Sequence, residues 1–132
     1  MNNDRSLLLR RTLATNALVT LLFGAVLLVD RGLVADVLGI ASALPVAVAG
    51  LVCIAFAPVL LVAARKRDLD PRAVALLIAV DGLWVLASLV VAIVAPITLA
   101  GRGLVLAQAA LVAVFMALDA AGARRRTYGL TA

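Results

Sequence analysis

Four apolar runs, each of roughly 18–23 residues and each fenced by charge, constrain this chain more than any other feature. They cover residues 12–29, 43–64, 73–95 and 104–122. A helix rises about 1.5 Å per residue, so about 20 residues cross a hydrocarbon core of about 30 Å. In lipid every backbone N–H and C=O has to be bonded within the chain, and a helix does this locally. Composition agrees: 66% of the 132 residues are hydrophobic and 14% are charged, against the usual quarter. A water-soluble domain of this size could not hide that much apolar surface. The expectation is an all-α membrane protein, a single domain over residues 1–132.

The connectors carry turn chemistry. Run 12–29 follows Arg5, Arg10 and Arg11 like a signal peptide. Its length approaches a full span and no small-x-small cleavage site follows, so it reads as a retained helix. In the first connector Leu33, Val34, Val37, Leu38 and Ile40 recur at helical spacing with Asp36 opposite. This predicts a short interfacial helix over 32–40, with an ordinary loop as the alternative. Pro45 and Pro71 suit first helical turns, Pro96 stops the third run, and Pro58 should kink the second.

Orientation follows from the cations. Arg5, Arg10, Arg11, Arg65, Lys66, Arg67, Arg72, Arg124, Arg125 and Arg126 lie at the two termini and the middle turn; only Arg31 and Arg102 lie on the other side. Cytoplasmic segments are enriched in Lys and Arg, so both termini are expected inside. Short connectors make successive helices antiparallel neighbours. The fold class expected is an antiparallel up-down four-transmembrane-helix bundle, N-in/C-in.

The formal charge of +5 could suggest nucleic acid. The cations flank apolar runs instead, where they meet anionic lipid headgroups at the cytoplasmic face, so no nucleic acid is expected. The chain has no His, no Glu and one cysteine, Cys53. The usual haem and zinc ligands and the commonest general base are therefore missing. There is no P-loop, no GxSxG and no His-based metal motif. Asp81-Gly82 has the Asp-Gly pair of CDP-alcohol phosphotransferases, but Leu83-Trp84-Val85-Leu86 follows in place of that motif. No catalytic residue, cofactor or metal is expected, and the chain reads as a non-enzyme.

Asp81 is the most informative residue. It lies nine positions past Arg72, about 13 Å into the bilayer. A carboxylate there costs roughly 3 kcal/mol on insertion scales, so it should face the bundle interior, be neutral, or have a partner. Trp84 and Ser88 share its face. Asn16 and Thr20 of the first helix reach depths of about 7 and 13 Å and are its expected neighbours. Gln108 is placed near the outer end of the fourth run, away from this group. Asp119 sits about 7 Å from Arg124 along the helix and is expected to pair with a cytoplasmic arginine. Two readings of Asp81 compete: a proton or cation site, and a structural residue that sets helix register.

Helices in lipid associate through small residues. The candidate packing positions are Ala109, Ala113, Ala117 and Ala121 on the fourth helix, Ala49, Cys53 and Ala57 on the second, and Gly24 on the first. Gly24 closes a stripe with Thr12, Asn16 and Thr20.

Arg10-Arg11, Leu38-Gly39, Pro58, and Asp81 with Trp84 form a pattern along most of the chain. In it the chain resembles small bacterial four-span inner-membrane proteins. The resemblance implies the bacterial cytoplasmic (inner) membrane and supplies no activity. In helix number and length the chain is also similar to small multidrug resistance transporters. Their essential Glu in the first span has no counterpart, since Asn16 is there and no acid lies within that run. The expected function is an accessory or assembly module that acts through helix–helix contacts, as a homo-oligomer or with a membrane-protein partner. The alternative is a small oligomeric proton-coupled transporter using Asp81.

Overall fold

A computed structural model describes the backbone of residues 2–66 and 68–128 and the side chains of 7–66 and 68–124. Of the basic residues above, Arg5, Arg67, Arg125 and Arg126 have side chains outside the described residues. The described residues form five helices: α1 (Asn2–Val29), α2 (Arg31–Leu38), α3 (Leu44–Arg65), α4 (Pro71–Val94) and α5 (Leu99–Tyr128). There is no strand among the described residues. α1, α3, α4 and α5 are each long and apolar enough to cross a membrane, as a multi-pass membrane protein requires. Their exposed faces are hydrophobic: Leu22 is 58% exposed, Ile93 74%. In water that surface would be costly; against lipid tails it is not.

Local chemistry sets the helix ends. The Asp70 carboxylate accepts from the Arg72 N–H at 3.0 Å, with Pro71 in the first turn of α4. This caps one of the donors a helix start leaves unpaired. α2 ends in a Schellman motif. Gly39, at φ 73°, donates to the Asp36 carbonyl, and Ile40 donates to the Ala35 carbonyl. A glycine takes that left-handed conformation without the penalty a Cβ brings. Thr98 caps α5: its hydroxyl oxygen accepts from the Gly101 N–H at 2.9 Å and its O–H donates to the Val37 carbonyl. Its own N–H donates to the Leu38 carbonyl at 3.0 Å, which ties α2 to the start of α5. α5 therefore begins before the expected Leu104. α3 continues as helix through Pro58, whose ring is exposed.

α1 is the central helix, packing on α3 and α5; α4 packs on α5; α2 rests on α1, α3 and α5. The α1–α3 contact is close because it is built on glycine. A Cβ on Gly24 would stand 2.8 Å from the Cys53 Cβ, and one on Gly50 would stand 2.9 Å from the Leu28 Cγ. Cys53 and Ala57 are buried and Ala49 is half-buried.

The alanine stripe of α5 behaves differently. Ala109 is buried and Ala113 half-buried, but Ala117 and Ala121 are exposed. Four residues overshoot one turn of 3.6 by about 40°, so a four-residue stripe rotates off a straight interface within a few steps. Phe115, Asp119 and Gly122 are buried on that part of α5 instead.

The two ends of the bundle differ. At the end holding Arg10, Arg65 and Arg72, here the basic end, Leu9, Leu13, Leu60, Val74 and Leu77 of α1, α3 and α4 form one core with Leu69 of the connector between α3 and α4. The Arg10 Nε donates to the Ala64 carbonyl at 2.9 Å, across the same junction. Toward the α2 end, Leu27, Ala35 and Val46 form a smaller core without α4. α3 and α4 scarcely touch beyond the basic end, and the space between them stays open.

Candidate functional site: a buried carboxylate beside an apolar cavity

The polar stripe of α1 meets α4 at mid-bundle. Asn16, 1% exposed, donates from Nδ2 to Asp81 Oδ2 at 3.0 Å, and Asp81 is itself buried. Thr20 donates to Asn16 Oδ1 at 3.1 Å. That bond orients the Asn16 amide, leaving its NH2 toward the acid. The hydroxyl of Thr12, the next stripe residue, donates to the Leu8 carbonyl of its own helix.

A second polar group lies one turn along α4. The Trp84 indole donates to Gln108 Oε1 at 2.8 Å, Gln108 Nε2 donates to Ser88 Oγ at 2.7 Å, and the Ser88 hydroxyl donates to the Trp84 carbonyl at 2.8 Å. The sequence reading places Trp84 and Ser88 beside Asp81 but leaves Gln108 out. The early start of α5 explains this: Gln108 lies about 13 Å along that helix from Leu99, level with Trp84 across the short connector.

A cavity of about 140 Å³ is lined by Asp81, Asn16, Thr20, Cys53 and Trp84 among others. Phe23, Phe56 and Phe115 supply aromatic walls. Toward the α2 end lies a larger crevice of about 610 Å³, with Ala49 and Pro45 of α3 on one side and Ala87 and Val91 of α4 on the other. Phe23, Trp84 and Gln108 line both spaces. They form the partition between an open apolar crevice and the carboxylate. Neither space is lined by lysine or arginine.

Asp119 makes no ion pair with the described residues. It is 1% exposed, and its Oδ1 is buried with no hydrogen-bond partner. Arg124, five residues on, is exposed. Gly122, one turn past Asp119, lies against Leu9, where an added Cβ would be 3.3 Å from the Leu9 Cβ. The acid is thus buried on the part of α5 that lies against α1.

Among the described residues no group of three or more His, Cys, Asp or Glu is placed to hold a metal. Cys53 is a free, buried thiol. No family model, curated protein or solved structure matches this chain.

Proposed function

We propose that this chain is a small proton-coupled transporter of the bacterial inner membrane, with Asp81 as its intramembrane ionisable site. Its four long helices run antiparallel in an up-down bundle, and the basic end faces the cytoplasm, as the distribution of Lys and Arg favours. The α2 end then faces outward, and the crevice between α3 and α4 is the route inward to Asp81. One observation carries the reading: a buried carboxylate, held through one oxygen by Asn16, lines a cavity partitioned only by Trp84, Gln108 and Phe23 from a wide crevice. A purely structural acid would be expected in solid packing, because voids cost contacts. The sealed basic end and open α2 end correspond to one state of an alternating-access cycle. Four helices enclose little space, so a homo-oligomer is the expected working unit.

The second reading is an accessory module held to a membrane-protein partner. It is supported by Ala117 and Ala121, small residues left exposed on α5 where another helix could approach closely. The remaining small residues are less available to a partner, since Gly24, Cys53 and Ala57 are used between α1 and α3.

The two readings differ in access to Asp81. A hydrophobic carbodiimide reacts with protonated carboxyls that it can reach from lipid. Membranes treated across a pH series and mapped by mass spectrometry should carry the adduct on Asp81, falling as pH rises and lost in Asp81→Asn. If other aspartates react and Asp81 does not, the acid is sealed and the accessory reading takes over.

A further inference from the structure

The chain has five aromatic residues: Phe23, Phe56, Trp84, Phe115 and Tyr128. Membrane proteins concentrate Trp and Tyr in belts at the two interfaces. Here the single Trp and all three Phe line the cavity that holds Asp81. Each long helix contributes one ring: Phe23 from α1, Phe56 from α3, Trp84 from α4 and Phe115 from α5. The Trp84 N–H is taken by Gln108, so the indole brings ring surface to the cavity and not a donor.

Rings around one carboxylate select by charge. Aromatic faces attract cations, more strongly where water is excluded. Opposite charges also attract strongly in a poorly polarisable medium. An anion would meet Asp81 with no lysine or arginine on the wall.

The donors and acceptors narrow the kind of cation. A hard metal ion takes about six oxygen ligands, and this wall is poor in oxygen. The Asn16 amide oxygen already accepts from Thr20, and the Asn16 amide N–H engages one oxygen of Asp81. A primary ammonium is strongly hydrated and brings N–H donors that each need an acceptor, for which the Cys53 thiol is a weak substitute. A methylated ammonium has no N–H to satisfy and carries its charge on an apolar surface that packs against rings. Size sets a further limit. The cavity measures about 140 Å³, and a dry cavity of about 150 Å³ holds a benzene molecule. One trimethylammonium head fits; a large aromatic cation does not.

We infer that this cavity is an aromatic cage for a methylated ammonium group, with Asp81 as its counter-ion, and that the substrate class is compact methylated ammonium compounds. The inference rests on the transport reading for calling that group a cargo; the binding is measurable without transport.

Trp84 is the only tryptophan, so its emission in the purified protein reads occupancy of the cage. Nanodiscs of phosphatidylglycerol keep choline headgroups out of the bilayer. Choline is titrated beside ethanolamine and beside its neutral carbon isostere, in which tert-butyl replaces trimethylammonium. Choline should bind at least about tenfold tighter than either analogue, a ratio within the reach of one desolvated cation–π contact. Asp81→Asn should remove most of that preference and leave the isostere unchanged. Phe56→Leu, which keeps the acid and an apolar wall, should weaken choline about threefold or more and the isostere less. Radiolabelled choline, displaced by each analogue, gives the same ratios without the fluorophore, and an absence of saturable binding overturns the cage. So does an isostere that binds as tightly as choline, or a choline affinity undiminished in Asp81→Asn. Ethanolamine binding equal to choline overturns the methylated class. Should Asp81→Asn fail to fold, the choline-to-isostere ratio in the native protein and in Phe56→Leu still decides. Adding phosphatidylcholine to the nanodiscs identifies the source: displacement of choline means a lipid headgroup enters the cage, and no displacement means a free solute does. The transport reading fails separately. If carbodiimide never reaches Asp81 but choline binds selectively, the cage stands and the access route falls. If Asp81 is labelled and choline is not preferred, the access route stands and the cage falls.

Discussion

Asn16 shows how much one polar side chain can organise inside a helix bundle. It accepts from Thr20, donates to Asp81, and so joins α1 to α4, two helices that otherwise meet mainly through the core at the basic end. Interhelical hydrogen bonds in membranes contribute about 0.6 kcal/mol on average and up to about 1.7. Bonds to a carboxylate are stronger than neutral ones. Asn16→Val should therefore destabilise the protein by about 1–2 kcal/mol, read as a lower midpoint when dodecyl sulfate is titrated into mixed micelles. An unchanged midpoint would mean that the bond contributes nothing to the fold. The stripe carrying Asn16 is visible in the sequence because Asn seldom faces lipid. Gln108 is not, since its partner depends on where α5 starts, and that is decided by Thr98 bonding to α2. Asp119 is misplaced by a similar limit: distance along a helix gives depth but not the side of the helix a residue occupies.

At the scale of elements, the tightest contact is between α1 and α3. Gly24 sits where a Cβ would meet the Cys53 Cβ at 2.8 Å and the Gly50 carbonyl oxygen at 3.0 Å. Neither neighbour is the flexible end of a side chain, so the helices would have to separate. Gly24→Val should cost about 1–3 kcal/mol, measured in the same titration. The substitution should also admit thiol reagent to Cys53, which is now buried. Wild-type stability in Gly24→Val would show that this interface is looser than its geometry indicates. The small residues on both sides of the contact are legible in the sequence. The exposure of Ala117 and Ala121 on the matching stripe of α5 is not, because alanines at the same spacing occur on faces that meet a neighbour and on faces that meet lipid.

For the whole molecule, the asymmetry between its ends is the property that function would use. One end is closed by a core drawn from three helices; the other holds the crevice between α3 and α4. The proposed orientation has a direct test. In a Cys53→Ser background, a single cysteine at Arg102 should react with an impermeant maleimide from outside intact cells. One at Lys66 should react only after lysis. The reverse pattern would invert the protein, and equal labelling of both would overturn the count of spans between them.

The sequence by itself determined that this chain makes four long apolar helices, roughly where each begins and ends, and that a polar stripe on α1 and an acid on α4 need partners. Those follow from rules that act along the chain: the helical rise, the demand for internal backbone bonding in lipid, and the cost of polar groups there. The tertiary structure alone decided which polar residues meet, that Gln108 bridges Trp84 and Ser88, that Asp119 is buried, and that α4 stands away from α3 to leave a crevice. These depend on the rotation and separation of helices. In an apolar chain many rotations bury similar surface, so they are settled by a few contacts between distant residues: the glycines of α1 and α3, the Thr98 cap on α2, and the bond from Asn16 to Asp81.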